Sequence, residues 1–255
     1  MSDSSDTELL DAWRRSRDRS AMDRLIRRHI HFVYGAARRI LRDSSWAEDV
    51  TQAVLMLLIQ KSPRLPSDPA IAVWLHRTTR YACANARKMQ TRRAIREHRV
   101  ANQHVESANM ANEIDNLAER DEREHLLPML DEAITHLGER DRSGVILCYF
   151  QRRTFREIGA MLGTTEEAAR KRVGRAVERI REYFLARGVA PSGISSAMIV
   201  ACLSAQTEWL APSTLIAATT NLATVSHIAT LAYPSAQIAQ KVMHTMLMWK
   251  VKLAA

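Results

Sequence analysis

The sequence is poor in aromatic residues and in cysteine. Phe, Trp and Tyr make up 5% of the 255 residues, so a hydrophobic core has to be built mainly from aliphatic side chains. The three cysteines, Cys83, Cys148 and Cys202, lie far apart and form no Cys-X-X-Cys pair. This spacing is typical of small buried residues in a reducing compartment, not of a zinc site or a disulfide framework.

Catalytic motifs are also missing. The sequence has no phosphate-binding glycine loop, no HExxH and no nucleophile elbow, and His29 and His31 are not at the spacing of helical metal ligands. We therefore expect a protein that is not an enzyme and has no catalytic residue, metal site, cofactor or small-molecule substrate. The start, MSDSSDTELLDAW, is acidic where a signal peptide is basic, which favours a cytoplasmic location.

What the sequence does have is positive charge. Lys and Arg number 37 against 28 Asp and Glu, which gives a net charge of +9 and a pI near 9.9. Such a balance favours a polyanionic partner, either nucleic acid or an anionic membrane surface. Charge alone does not distinguish between the two.

Apolar residues recur at helical spacing, and no segment shows the alternation and hairpin turns of a sheet, so the predicted fold class is all-α. Four segments differ in composition. A helical block (1–99) ends in a basic segment, and an acidic linker (100–127) separates it from a second helical block (128–187). The C-terminal extension (188–255) contains a single acid, Glu208, and is predicted to be a separate helical unit.

In the first block, DSSWAEDVTQAVLMLLIQK predicts a helix that starts at Trp46, because Ser45 and Glu48 form a capping-box pattern. Its apolar stripe should face the core. That stripe consists of Trp46, Val50, Ala53, Val54, Leu57 and Leu58. Three apolar residues, Leu55, Met56 and Ile59, lie off the stripe. Either they form an exposed docking surface together with Asp49 and Gln52, or the helix is buried nearly all round.

The next helix is strongly basic. From His76 to Arg99 the sequence has eight Lys and Arg residues against Glu97 alone. We predict that its basic face neutralises phosphates near single-stranded bases; the alternative is an ordinary solvated face. The candidate DNA-binding residues are Arg77, Arg80, Arg87 and Lys88. Trp74 is predicted to belong to the core.

In the second block, FREIGAMLGTTEEAARKRVGRAVERIREYF indicates two helices that meet at Gly163, the second capped by Thr164 or Thr165. This is the helix-turn-helix pattern, in which Gly159, Gly163 and Ala169 allow a close approach of the helices. The candidates for reading base edges are Thr165, Glu166, Arg170 and Lys171. Three further arginines, Arg172, Arg175 and Arg179, are expected to hold phosphates or to support packing. The alternative is a helical hairpin of an unrelated bundle.

Taken together, residues 7–187 resemble an extracytoplasmic-function (ECF) sigma factor, a small bacterial RNA polymerase initiation factor with sigma regions two and four only. The resemblance rests on four segments in the family's order. These are AMDRLIRRHIHFVYGAARRIL, WAEDVTQAVLMLLIQ, AVWLHRTTRYACANARK and LGERDRSGVILCYFQRRTFREIGAMLGTTEEAARKRVGRAVERIREYF.

The resemblance implies core RNA polymerase and promoter DNA as partners. It places the polymerase-docking helix at 46–60, where Asp49, Gln52 and Met56 would contact the clamp coiled coil of the largest subunit. The loop 61–69 and the basic helix would capture the melted minus-ten element, and the helix-turn-helix would bind the minus-thirty-five duplex. The acidic linker would thread the nucleic-acid channel. The alternatives are a stand-alone helix-turn-helix regulator and a scaffold or anti-sigma-like protein.

The extension resembles those of some ECF sigma factors. Residues 213–233 are uncharged but rich in Thr, Ser and Asn, which argues against a membrane helix. After Pro234 the pattern is amphipathic, with Ile238, Val242, Met246 and Trp249 on one side. We expect a regulatory segment that docks on the sigma domains, on an anti-sigma factor or on another regulator; the alternative is an appendage that only adds stability.

Overall fold

Helices are the only regular secondary structure in the part of the chain that the structure describes. The computed structural model describes residues 4–65, 70–101, 129–188, 194–204, 209–220, 222 and 234–253. Within these ranges every regular element is a helix, which confirms the all-α class. None of the helices described is long and apolar enough to cross a membrane. The acidic stretch 106–124, the loop tip 66–69 and the side chains of Met246 and Trp249 lie outside the described part.

Four helices form the first block around an aliphatic core. They are α1 (Asp6–Ser16), α2 (Arg19–Leu41), α3 (Ser44–Lys61) and α4 (Ala70–Ala101). Helix α2 packs against the other three, so it is the central helix. The core is filled by Leu10, Met22, Leu25, Ile30 and Leu57, which are fully buried. Trp74 is half-buried and packs against this core, as predicted.

Helix α3 begins earlier than its sequence pattern predicts. The side chain of Asp43 accepts the backbone N–H of Trp46 at 3.0 Å, so Asp43 is the N-cap and the helix starts at Ser44. The predicted capping box of Ser45 and Glu48 is wrong, because both residues lie inside the helix. An aspartate at this position also complements the positive end of the helix dipole, which favours the earlier start.

The second block has four helices as well. They are α5 (129–136), α6 (Glu139–Val145), α7 (Phe155–Met161) and α8 (Glu166–Ala186). Helix α6 continues into a π-helical turn, Ile146–Phe150. The core beneath α8 includes Leu130, Ile134, Val177 and Ile180. Ala72 and Val73 of α4 belong to the same cluster, so the two blocks are packed together.

The extension is divided between the two blocks. Its helices are α9 (Ser196–Ser204), α10 (Ser213–Thr220) and α11 (Ser235–Leu253). Helix α9 packs on α8, α10 packs on α2 and α3, and α11 packs on α3 and α4. Within the described residues the buried side chains of the extension join the cores of the blocks. The described helices of the extension thus pack onto the two blocks, as small apolar residues with little charge readily do, and the division of the chain at residue 188 stays a prediction.

The cysteines follow the prediction in part. Cys83 and Cys202 are buried, and burial raises the pKa of the Cys83 thiol. Cys148 is half-buried, contrary to the prediction, and lies beside the small cluster of Leu147, Ile158 and Ala169. Burial raises the pKa of its thiol too. The thiols of Cys83 and Cys148 are therefore protonated near neutral pH and are poor nucleophiles.

Candidate partner and nucleic-acid interfaces

The predicted docking face of α3 is largely covered. Asp49, Gln52 and Met56 follow one another at spacings of three and four residues, so they share a side of the helix. Asp49 and Gln52 are half-buried, and Met56 is fully buried, as are Leu55 and Ile59. An exposed surface that includes these three apolar residues is therefore ruled out, and the alternative, a helix buried nearly all round, is correct. Part of the cover is α11, which packs along α3.

One hydroxyl contacts both polar residues of this face. Ser235 Oγ donates to Asp49 Oδ1 at 2.7 Å, and Gln52 Oε1 lies 3.4 Å from the same oxygen. A hydroxyl carries a single proton, so the shorter contact is the hydrogen bond. Burial raises the pKa of Asp49; the hydrogen bond from Ser235 opposes this, while the charges of Glu48 and Asp43 raise the pKa further. Among the described residues, the charges that shift the pKa of this carboxylate are both negative.

The basic residues of α4 lie opposite its buried side. Arg77, Arg87 and Lys88 are exposed and Arg80 is half-buried, whereas Leu75, Ala82 and Ala86 are fully buried. The Arg87 guanidinium donates to the carbonyl of Ile40, which closes α2, so this side chain also braces the first block. Arg77 and Lys88 are exposed to solvent, the arrangement that binding to phosphates requires.

The turn between α7 and α8 depends on two glycines for different reasons. Gly163 has a φ of +63°, the left-handed conformation that favours glycine. The next residue, Thr164, donates its N–H to the Gly159 carbonyl at 2.8 Å and closes α7. A Cβ on Gly159 would lie 2.9 Å from the Thr164 carbonyl oxygen, whereas one on Gly163 would meet nothing within 4 Å. Close approach therefore explains Gly159, and backbone conformation explains Gly163. For Gly163 the sequence had predicted both a left-handed helix end, which is confirmed, and a close approach, which is wrong.

The first two turns of α8 present the predicted base-reading residues to solvent. Thr165 is the N-cap and accepts the Ala168 N–H at 3.2 Å. Glu166, Arg170 and Lys171 are exposed, and Arg170 pairs with Glu166 at 3.1 Å. Lys171 pairs with Glu167 at 2.7 Å. Exposed pairs of this kind are weak, so the basic groups can exchange these carboxylates for a stronger polyanion.

The three remaining arginines divide between packing and exposure. Arg172 is half-buried and lies 3.7 Å from Asp141 at the start of α6, and Arg179 pairs with the same carboxylate. Both therefore support the packing of α8 on α6. Arg175 is exposed and is the one of the three whose position suits contact with a phosphate.

A buried ionic cluster that sequence reasoning missed joins the two blocks. Arg39 of α2 donates from Nε and Nη2 to the carboxylate of Asp131 on α5, both at 3.2 Å. Nε2 of His76 on α4 lies 3.0 Å from Asp131 Oδ1 and donates to it, since an ionised carboxylate only accepts. Burial alone would raise the pKa of Asp131, but the charge of Arg39 and the hydrogen bond and charge of His76 lower it to about 2. The available signal was the acidic pair Asp131 and Glu132 inside the otherwise largely apolar stretch LLPMLDEAITHL.

Aromatic rings surround this cluster. Phe150, the last residue of the π-helical turn, lies 5.4 Å from Phe32 in an edge-to-face contact. The guanidinium of Arg39 lies 5.6 Å from the Phe150 ring centroid. The rings exclude water, which strengthens the ionic contacts inside the cluster. We call Arg39, His76 and Asp131 the interblock triad.

Comparisons with known proteins agree with this arrangement. The Sigma-70 region 2 model matches residues 25–93, and the Sigma-70 region 4 model matches residues 133–182. RNA polymerase sigma factor CarQ of Myxococcus xanthus is 30% identical over 165 residues, which cover 64% of this chain and 88% of the relative. The chain belongs to the ECF RNA polymerase sigma factor family.

A second relative supports the same family. ECF RNA polymerase sigma factor SigM of Mycobacterium tuberculosis strain H37Rv is 28% identical over 176 residues, which cover 69% of this chain and 83% of the relative. The sigma factor described here therefore binds core RNA polymerase and promoter DNA and directs transcription initiation. Members of the family are non-catalytic initiation factors and are commonly regulated by anti-sigma factors. The match to region 2 removes the alternative of a stand-alone regulator with an unrelated N-terminal domain.

Proposed function

We propose that α3 binds core RNA polymerase, that α4 takes the melted minus-ten strand, and that α7 and α8 read the minus-thirty-five duplex. The proposed units are residues 1–99, 100–127, 128–187 and 188–255. The protein acts without catalysis or cofactor of its own, in the cytoplasm where its two partners meet. The extension regulates this activity, alone or with an anti-sigma factor.

One observation carries the assignment of α8 as the reading helix. Its buried face, Val173, Val177 and Ile180, packs into the second block, while its exposed N-terminal part presents Arg170 and Lys171 in the second turn. A recognition helix contacts base edges with its N-terminal residues, so these two side chains are in the position that reading requires. Arg175, one turn further along, contacts a phosphate.

For α3, the support is the pairing of Asp49 and Gln52 on one side of a helix whose other sides are buried. A carboxylate and an amide at this spacing give a partner helix two directional hydrogen-bonding groups. Met56 lies one turn further on and is fully buried. It can therefore contact polymerase only after the residues that pack over it have moved away.

The two assignments predict opposite phenotypes. Changing Asp49 and Gln52 to alanine abolishes binding to core polymerase and leaves the second block intact. Changing Arg170 and Lys171 to alanine leaves polymerase binding unchanged and reduces initiation from a selected promoter by about tenfold or more, since a good base contact contributes about 1–3 kcal/mol. Core binding is measured with labelled full-length protein, and initiation is measured in vitro on a promoter library.

The matched control is Arg19→Ala, which removes the same charge from the exposed start of α2 and should change neither readout. Loss of polymerase binding after the Arg170 and Lys171 changes would contradict the division of roles. So would tight, sequence-specific binding of the protein to duplex promoter DNA without polymerase.

A further inference from the structure

The C-terminal helix begins on the face of α3 that is proposed to bind polymerase. Ser235, the first residue of α11, is fully buried and donates its hydroxyl proton to Asp49 at 2.7 Å. Gln52 lies beside the same hydroxyl. The carboxylate of Asp49 therefore already has a hydrogen-bond partner inside the chain, 186 residues away, and the same serine contacts Gln52, 183 residues away.

The contact continues with apolar side chains. Ile238, Ala239 and Val242 follow Ser235 at spacings of three, four and seven residues, so they lie on one face of α11. All three are completely buried and belong to the core of the first block. The predicted amphipathic pattern is confirmed for Ile238 and Val242. A helix seated this deeply excludes any other helix from the same place on α3 and α4.

A second attachment keeps α11 near this site. The backbone N–H of Ala211 donates to His31 Nδ1 at 3.0 Å, and the Arg38 guanidinium lies 5.0 Å from the ring centroid of Trp209. Leu215 of α10 is buried in the first core. Since the extension is anchored on α2 just ahead of α11, the effective concentration of α11 at α3 is high, on the order of millimolar for a short tether.

The ionised form of Asp49 opposes this cover. Burial raises the pKa of Asp49, and the neighbouring acids Glu48 and Asp43 raise it further, so the closed arrangement holds a carboxylate with one hydroxyl where water would solvate it better. The apolar residues favour closure and the carboxylate favours opening. Such a balance lets a partner with its own hydrogen-bond donors displace the helix.

We propose that α11 and core RNA polymerase compete for the same face of α3, so that the extension is a built-in inhibitor of polymerase binding. The inference rests on the proposed docking role of Asp49 and Gln52. Displacement of α11 exposes both residues, and the apparent affinity for polymerase rises by the factor by which the closed form outweighs the open one.

The test uses the full chain with one charge added to either side of α11. Ile238→Lys places a charge at a completely buried position and dislodges the helix, whereas Gln240→Lys adds the same charge at an exposed position of the same helix. We expect Ile238→Lys to bind core polymerase about tenfold more tightly or better, and Gln240→Lys to bind as the unchanged protein does. Hydrogen exchange checks that α11 is released while α1 to α4 stay protected.

A milder variant tests the contact without a buried charge. Ser235→Ala removes only the hydroxyl, and we expect an affinity gain of about fivefold, the value of one ordinary hydrogen bond. Unchanged or weaker polymerase binding by Ile238→Lys, with α11 released and α1 to α4 protected, would overturn the proposal. An affinity for core polymerase that is unchanged in Ser235→Ala would also overturn it.

Adding the Asp49 and Gln52 changes to Ile238→Lys separates this inference from the proposed function. Loss of the gained affinity supports competition at this face. If the gain persists, the docking assignment is wrong and competition at this face is overturned with it. If the Asp49 and Gln52 changes abolish binding but Ile238→Lys brings no gain, the docking assignment stands and the inhibition fails.

Discussion

Among the contacts that hold other parts of this sigma factor on its first block, two contain a covered carboxylate, and their chemistry differs. The interblock triad surrounds the carboxylate of Asp131 with a guanidinium and an imidazole, and the side chains of Asp131 and Arg39 are 2% and 1% exposed. The contact of α11 offers the carboxylate of Asp49 one hydroxyl. Ionisation of Asp131 stabilises the interblock triad, whereas ionisation of Asp49 destabilises the contact with α11.

This difference shows in the pKa values. Burial raises both, but Arg39 and His76 outweigh it and lower the pKa of Asp131 to about 2, whereas the pKa of Asp49 stays raised. A buried ion pair adds little to stability overall, yet removing one partner leaves an uncompensated charge. The triad is therefore a fixed joint, and the α11 contact is one that a competitor can open.

The largest expected effect comes from breaking the triad. Asp131→Ala leaves Arg39 buried without its carboxylate and should lower the free energy of unfolding by about 3–5 kcal/mol. The neighbouring Glu132→Ala removes a carboxylate that is 43% exposed and pairs with Arg187 at 3.5 Å, so it should cost no more than about 1 kcal/mol. Urea unfolding followed by circular dichroism measures both. Equal losses of free energy of unfolding in the two variants would mean that the triad stabilises the fold no more than an exposed ion pair does.

A smaller and more local effect is expected from the extension. Ile238→Ala removes buried methyl groups from the contact of α11 with the first core and should weaken that contact by about 2–4 kcal/mol. Because α11 can detach by itself, the loss should appear as faster hydrogen exchange in α11, while α2 keeps most of its protection. Gln240→Ala, at an exposed position, is the control. A loss of protection spread equally over α2 and α11 would show that the extension is part of one cooperative unit.

Local patterns predicted much of this molecule from its sequence. The helix-turn-helix was predictable because its signals, a glycine in the left-handed conformation at Gly163 and a threonine cap at Thr165, lie within a few residues of each other. The start of α3 was missed because Asp43 and Ser45 are both good caps and only one can serve. The prediction that Trp74 of α4 belongs to the core is confirmed as well.

The interblock triad and the contact of α11 with α3 could not be predicted from such local patterns. Asp131 lies 92 residues from Arg39, and Ser235 lies 186 residues from Asp49. Periodicity reports which face of a helix is apolar but not what covers it, so Met56 was left between exposed and buried. Cover by α11 depends on the path of the whole extension, and no local spacing encodes that path.

The last prediction uses pH to separate the contacts. The folded-state pKa of Asp131 is lowered to about 2 from an ordinary value of 3.8, so its contribution is present above pH 3.8 and is lost as the pH falls towards 2. That contribution is about 2 kcal/mol. The pKa of Asp49 is raised, so its contribution is present below pH 3.8 and is lost as the pH rises through the raised value. Acid should therefore weaken the triad and tighten the α11 contact.

Hydrogen exchange of α5 and α11 across this range measures the two responses separately, and two asparagine variants assign them. Asp131→Asn should remove the acid sensitivity of α5 but not that of α1 and α2, where His29 and Arg28 outweigh burial and lower the pKa of Asp6 to about 2 as well. Asp49→Asn should make the protection of α11 independent of pH, because the group that opposes closure no longer ionises. If α11 loses protection in acid together with α5, the opposite roles of the two carboxylates are refuted, and the extension is held by the same kind of contact as the second block.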